Sequence, residues 1–197
     1  MTMYKSMHPT DRKIVIKLGG STLEGLNEEF FHQFKALQEQ GYSIIITHGG
    51  GPAINRALDA SQVKSHTVNG LRVTNGDAID IVKSTLIGQV NPALVHELNI
   101  AGIQAIGLNG FDGLLLESTF LDAETYGYVG EVQRVNTALI DSLVAVNIVP
   151  VIACIGATID GLALNINGDT VASEIALAIG AESLLLVTDV AGIRIEG

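Results

Sequence analysis

The chain has 197 residues, 47% of them hydrophobic, and a net charge of -10 with only 11 lysines and arginines. That length and apolar content suit one globular domain with a sizeable core. The charge argues against a nucleic-acid partner, which needs a basic face, and it makes each well-placed cation informative.

No apolar run approaches the roughly 18 residues that span a bilayer, and the longest candidate, "LVAVNIVPVIACIG", is interrupted by Asn147 and Pro150. The opening "MTMYKSMHPTDR" lacks the apolar segment of a signal peptide. Cys154 is the single cysteine, so it forms no internal disulfide, and its apolar surroundings read as those of a buried core thiol. A cytoplasmic protein with no membrane partner is the expectation.

Residues 1–12 read as an N-terminal extension. Residues 13–18 have the β-branched composition of a strand, and 26–40 the periodicity of an amphipathic helix with Phe30, Phe34 and Leu37 on one face. Gly41 suits the end of that helix. Residues 42–48 form the next predicted strand and 52–60 a helix with proline in its first turn. A longer helical region follows over 77–100, bent near Pro92, and then a strand over 103–108. From 114 to 135 short strands alternate with glycine turns, which reads as antiparallel hairpins. A helix over 137–146, a strand over 148–155, a hairpin over 158–164, a helix over 170–179 and a strand over 183–188 complete the order. Strands that alternate with helices predict an α/β fold, with helices on both faces of a mostly parallel sheet.

In such sheets ligands bind beyond the carboxyl ends of the strands. Two glycine clusters fall there, in "KLGGS" after the first strand and "HGGGP" after the second. No GxxxxGK[ST] occurs, and no GxGxxG follows a strand, which excludes the P-loop and the dinucleotide fingerprint. Glycines after a strand serve tight turns, or they expose N–H groups to an anion at a helix start. Two clusters after consecutive strands favour a phosphate or carboxylate. Lys17 stands where it can meet that charge or lie along the surface. Arg72, in "VNGLRVTN", is either a two-pronged carboxylate clamp or one half of a surface salt bridge. Asn165, Asn167 and Asp169 in "LNINGDTVASE" exceed what capping one helix requires. His48 either orients the glycine loop or is a hydrogen-bonded structural histidine. The remaining histidines, His8, His32, His66 and His96, show no metal-ligand spacing.

Taken in order, "KLGGS", "HGGGP", "NGLRVT", "NINGD" and "TDVAGI" resemble the amino-acid kinase family, from Lys13 to the last residue. The pairing of "NGLRVT" with "NINGD" points to its branch that phosphorylates the side-chain carboxylate of N-acetyl-L-glutamate with ATP, in arginine biosynthesis. The resemblance implies a three-layer α-β-α sandwich over residues 13–197. Its substrate-binding part would occupy about 13–165, and the start of a nucleotide-binding part about 166–197. It implies that Lys17 stabilises the transferring phosphoryl group and that Asp169 organises the catalytic lysines. Gly50, Gly51, Arg72 and Asn165 would bind substrate. Gly19 and Gly20 would lie against the phosphates, and Asp189, Val190, Ala191, Gly192, Ile193 and Arg194 would begin the nucleotide pocket. Magnesium (Mg2+) would arrive with ATP rather than at a protein metal site, and the partner expected besides the substrates is a second copy in a homodimer.

Two rival readings share these motifs: a related kinase acting on a carrier-linked aminoadipate, and a non-catalytic amino-acid sensor. The family carries a second catalytic lysine late in the chain, whereas here no lysine or arginine lies between Val135 and Ile193. The chain therefore reads as incomplete at its C-terminus.

Overall fold

The computed structural model of the chain describes residues 12–20 and 26–187. In chain order, β1 (Lys13–Leu18), α1 (Glu28–Glu39), β2 (Ser43–His48) and α2 (Gly51–Ala60) form the first half of the main sheet and its cover. A hairpin of β3 (Thr67–Val68) and β4 (Leu71–Arg72) precedes α3 (Gly76–Thr85), a π-helical turn (Leu86–Val90) and α4 (Asn91–Ile100). Next come β5 (Ala105–Leu108), β6 (Leu116–Phe120), α5 (Ala123–Tyr126), β7 (Gly130–Val135) and α6 (Thr137–Val144). The last elements are β8 (Val149–Ala153), β9 (Ile155–Ala157), β10 (Ala163–Asn165), α7 (Gly168–Ala178) and β11 (Ser183–Val187).

The main sheet has the order β11-β1-β2-β8-β5, and every pairing in it is parallel. Alternation along the strands divides its two faces. Ile14, Ile16, Leu18, Ile44 and Ile46 pack on Phe34 of α1 and on Leu94 and Leu98 of α4. Val15, Ile45 and Ile152 face the other way, onto Ile140 and Val144 of α6 and Val171 and Ile175 of α7. Three layers result, as the alternation of strand and helix predicts. A second sheet, β10-β9-β6-β7, carries the antiparallel hairpins.

Local chemistry explains most boundaries. Asn27, Asn75, Asn136 and Asn167 accept backbone N–H groups at the starts of α1, α3, α6 and α7. Gly41 follows α1 at φ 88°, a conformation that suits glycine best.

Two elements differ from expectation. The apolar run predicted as one strand over 148–155 turns a corner at Cys154, with β8 in the main sheet and β9 in the second. Cys154 N donates to His48 O at 3.2 Å, and Cys154 O accepts from Ile166 N at 3.2 Å, so this residue joins two sheets. Both halves are buried, and hydropathy shows no break between them. The long helical region is interrupted ahead of Pro92 by the widened turn Leu86–Val90. Proline has no N–H to return to the preceding turn, and a π-turn absorbs that irregularity.

Candidate functional site

β1 and β2 run side by side in register, Lys17 opposite Thr47 and Leu18 opposite His48. Their glycine turns therefore leave the sheet together. A Cβ built on Gly20 would fall 2.7 Å from Gly51 N and 3.1 Å from Gly50 C. Only a residue without a side chain lets these two backbones approach so closely.

Helix α2 opens on this contact, with Gly50 before it and Pro52 in its first turn, and no side chain caps it. The four helices named above spend an asparagine on their first N–H groups. The corresponding groups of α2 stay available to a ligand, with the helix dipole behind them. A cleft of about 210 Å³ lies there, lined by Gly49, Gly50, Gly51, Arg72, Cys154, Asn165 and Gly168 among others.

Lys17 approaches this cleft from below. It shares its strand face with Val15, toward α7, and its Nζ lies 3.0 Å from Asp169 Oδ1. Asp169 sits in the first turn of α7, behind the Asn167 cap, where an anion is favoured by the dipole. The lysine side chain is 15% exposed and the aspartate 60%, so the ammonium is held largely out of water while its partner remains hydrated. A Cβ on Gly168 would stand 3.4 Å from Lys17 Cε and 3.6 Å from Cys154 Sγ. Burial pushes the Cys154 thiol up to about 12, against the opposing pull of Lys17. The thiol is thus a neutral floor to the cleft and no nucleophile.

Arg72 belongs to β4. Its Nη1 donates to Ser65 Oγ at 3.0 Å, and its Nη2 to Asn55 Oδ1. Among the described residues it has no acidic partner, whereas Arg12, Lys13, Lys17, Lys83 and Arg134 each have one. Burial lowers its pKa from the ordinary value, yet a guanidinium remains charged. Neutral acceptors therefore hold this cation without cancelling it. Asn165 Nδ2 donates to Thr74 Oγ1 at 3.2 Å, and Thr74 Oγ1 donates to Arg72 O at 2.9 Å. This chain of bonds ties the β10 end to the β4 end.

The structure thus brings Lys17, Gly19, Gly20, Gly50, Gly51, Arg72, Asn165 and Asp169 to one end of the main sheet. Asn167 serves as the cap of α7, accepting from Asp169 N and Thr170 N. Asp189, Val190, Ala191, Gly192, Ile193 and Arg194 lie outside the described residues. Thr74, inside "NGLRVT", adds a link that a small polar residue just past a strand does not advertise locally. Asn55, Ser65 and Asn91 carry no local signal, because a lone polar residue in a helix or loop looks like solvent-facing surface.

His48 is fully buried. Its Nδ1 lies 2.9 Å from Gly49 O, and its Nε2 2.9 Å from Asn91 Nδ2. A carbonyl only accepts, so Nδ1 carries the proton and Nε2 accepts. Burial lowers its pKa from 6.5 to about 4. The unfolded chain takes up a proton near 6.5 that the native state refuses until about 4. Stability is therefore retained above that window and lost as pH falls through it, by up to about 3 kcal/mol from this group alone. Melting curves from pH 7 to 4 should show a steeper decline for the parent than for His48→Asn, and parallel declines would contradict the account.

The fold is that of an α/β protein with two touching glycine turns at the carboxyl ends of adjacent parallel strands, the place where ligands bind in such sheets. The sequence profile of the amino acid kinase family matches residues 12–196. The chain belongs to the amino acid kinase family. Among curated proteins it is 45% identical over 188 residues to an acetylglutamate kinase of Prochlorococcus marinus subsp. pastoris, covering 94% of this chain and 66% of that protein. Another Prochlorococcus marinus acetylglutamate kinase is 46% identical over 184 residues, with 92% of this chain and 60% of that protein covered. The chain thus spans a little under two thirds of these relatives' length. The crystal structure of smu.665 from Streptococcus mutans UA159 superposes with a TM-score of 0.91 at 36% identity, covering 95% of this chain and 77% of that one.

Proposed function

We propose that the chain carries the acceptor-binding part, and the beginning of the nucleotide-binding part, of an acetylglutamate kinase. It would transfer the terminal phosphoryl group of ATP to the side-chain carboxylate of N-acetyl-L-glutamate, in arginine biosynthesis. The observation that carries this reading is that one cleft is lined by the uncapped α2 start and by an Arg72 held by neutral groups alone, with the Lys17–Asp169 pair next to its Gly168 wall. The names of the curated relatives agree with it.

The chemistry needs no general base. A carboxylate with a reference pKa of about 4.3 is already ionised at neutral pH. The barrier comes from bringing that anion onto an anionic phosphoryl donor, so positioning and charge neutralisation supply the catalysis. Arg72 would hold the α-carboxylate, and Asn165, braced by Thr74, would contact the acceptor. The N–H groups of Gly50 and Gly51 would bind the acceptor where it meets the donor. Lys17, held by Asp169, would meet the charge on the transferring group, with Gly19 and Gly20 against the donor's phosphates and residues 189–194 toward the nucleotide.

Among the described residues no three His, Cys, Asp or Glu side chains converge to hold a metal ion. Magnesium would arrive bound to the ATP substrate. A cytoplasmic homodimer completes the proposal, and no helix among the described residues is long and apolar enough to cross a membrane.

The test is ATP-dependent trapping by hydroxylamine. With N-acetylglutamate, ATP and magnesium, the protein that carries this sequence should yield the acyl hydroxamate. Hydroxamate formed from a carrier-linked aminoadipate but not from N-acetylglutamate would reassign the acceptor. N-acetylglutamate binding without any transfer would turn the reading into that of a sensor.

A further inference from the structure

The buried hydrogen-bonded system behind the glycine turn has no part in the chemistry described above, yet it ends on the peptide that opens the cleft. It starts in the main sheet. Asn91, the first residue of α4, is 6% exposed. Its Nδ2 donates to Val151 O of β8 at 2.9 Å, and the same nitrogen lies 2.9 Å from His48 Nε2. One amide nitrogen has two hydrogens, so both bonds are made at once. Gly107 of β5 leaves the space that the Asn91 amide occupies, since a Cβ there would overlap its Oδ1. The imidazole, fixed on its Nε2 side, then donates from Nδ1 to Gly49 O at 2.9 Å.

The effect on the next residue follows from covalent geometry. In a trans peptide the C=O of Gly49 and the N–H of Gly50 lie in one plane and point in opposite directions. The described chain has no cis peptide bond. Holding the Gly49 oxygen on the imidazole therefore turns the Gly50 N–H away from it. The far side of the same residue is confined by the π-turn. A Cβ on Gly50 would meet Leu86 Cδ2 at 2.6 Å and Val90 Cγ2 at 3.2 Å. Gly50 is thus held through its preceding carbonyl by His48 and across its Cα by Leu86 and Val90. Without those restraints three consecutive glycines would sample many backbone states, and an anion would have to order them on binding.

We infer that His48 and Asn91 are positioning residues for anion recognition: Asn91 locks the imidazole, and His48 holds the Gly49 carbonyl so that the Gly50 and Gly51 N–H groups are preset toward the ligand. This deepens the reading that the cleft binds the acceptor carboxylate and rests on it. A merely structural histidine would fill its space and satisfy Asn91. The positioning role requires the donor at the Nδ1 position in particular.

Two substitutions of similar polarity separate these roles. In His48→Asn the amide nitrogen can stand near Nδ1 and donate to Gly49 O, while the contact with Asn91 is lost. In His48→Gln the longer amide reaches the Nε2 position and keeps Asn91, while the Gly49 carbonyl loses its donor. Calorimetric titration with N-acetylglutamate should find His48→Asn within about threefold of the parent and His48→Gln weaker by about tenfold or more. The amide NMR signals of Gly50 and Gly51 in the unliganded protein should move in His48→Gln and stay near their parent positions in His48→Asn. Equal affinities and equal glycine signals in the two variants, or the reverse order, would overturn the inference. If the parent itself fails to bind N-acetylglutamate, the proposed acceptor is wrong. The glycine signals then still decide whether His48 sets this backbone.

Discussion

Lys17→Met should lower kcat by about 10²–10³-fold and leave the affinity for N-acetylglutamate nearly unchanged. Methionine keeps the length of the aliphatic stem and removes the ammonium, so the loss is one of charge at the transferring group. The surroundings make this a clean experiment. Asp169, the partner 3.0 Å away, is 60% exposed and remains hydrated when the ammonium goes. The fold should lose no more than about 1 kcal/mol, the scale of an ion pair open to water. Steady-state kinetics beside a thermal melt read both quantities. A kcat within a few-fold of the parent would remove Lys17 from the mechanism, and a large fall in melting temperature would make the pair structural.

Arg72→Lys should raise KM for N-acetylglutamate by about 10–100-fold, with KM for ATP almost unaltered. The guanidinium is already oriented by Ser65 and Asn55, both neutral, and its charge meets no carboxylate among the described residues. An incoming carboxylate becomes its counter-charge. Lysine keeps the charge but cannot present the planar fork that binds both carboxylate oxygens. Asn55→Asp tests the same idea from the other side. An internal carboxylate at that position would pair with Arg72 and compete with the substrate, so KM for the acceptor should rise again without a fall in stability. Equal effects on both substrates would show that Arg72 acts through folding.

Much of this architecture is written in local patterns. Lys13–Leu18 is apolar apart from its lysines, rich in β-branched residues and followed by Gly19 and Gly20, which sets the strand and its limit. Asparagine before α1, α3 and α7 and glycine after α1 act within one helical turn, and for that reason they can be read along the chain. The two glycine clusters were legible as turns at the ends of consecutive strands because strand, turn and helix start are contiguous in sequence. Arg72, Asn165 and Asp169 stood out through the motifs "NGLRVT" and "NINGD", whereas the partners that hold Arg72 did not.

The remaining features depend on which segments become neighbours, and no local pattern encodes that. The order β11-β1-β2-β8-β5 interleaves strands far apart in sequence. It puts Lys17 against Asp169, and Asn91 between His48 and Val151. The corner at Cys154 is invisible to hydropathy because residues on both sides of it are buried, though in different sheets. The choice between a loop-orienting and a structural His48 could not be made from sequence, since both call for a buried, hydrogen-bonded ring. Packing supplies the geometry on which the inferred positioning role rests: α4 carries Asn91 to Nε2, and Nδ1 reaches the Gly49 carbonyl. Composition and periodicity select the elements and the turns through forces acting over a few residues, while the site arises where burial of both sheet faces forces distant turns to one edge.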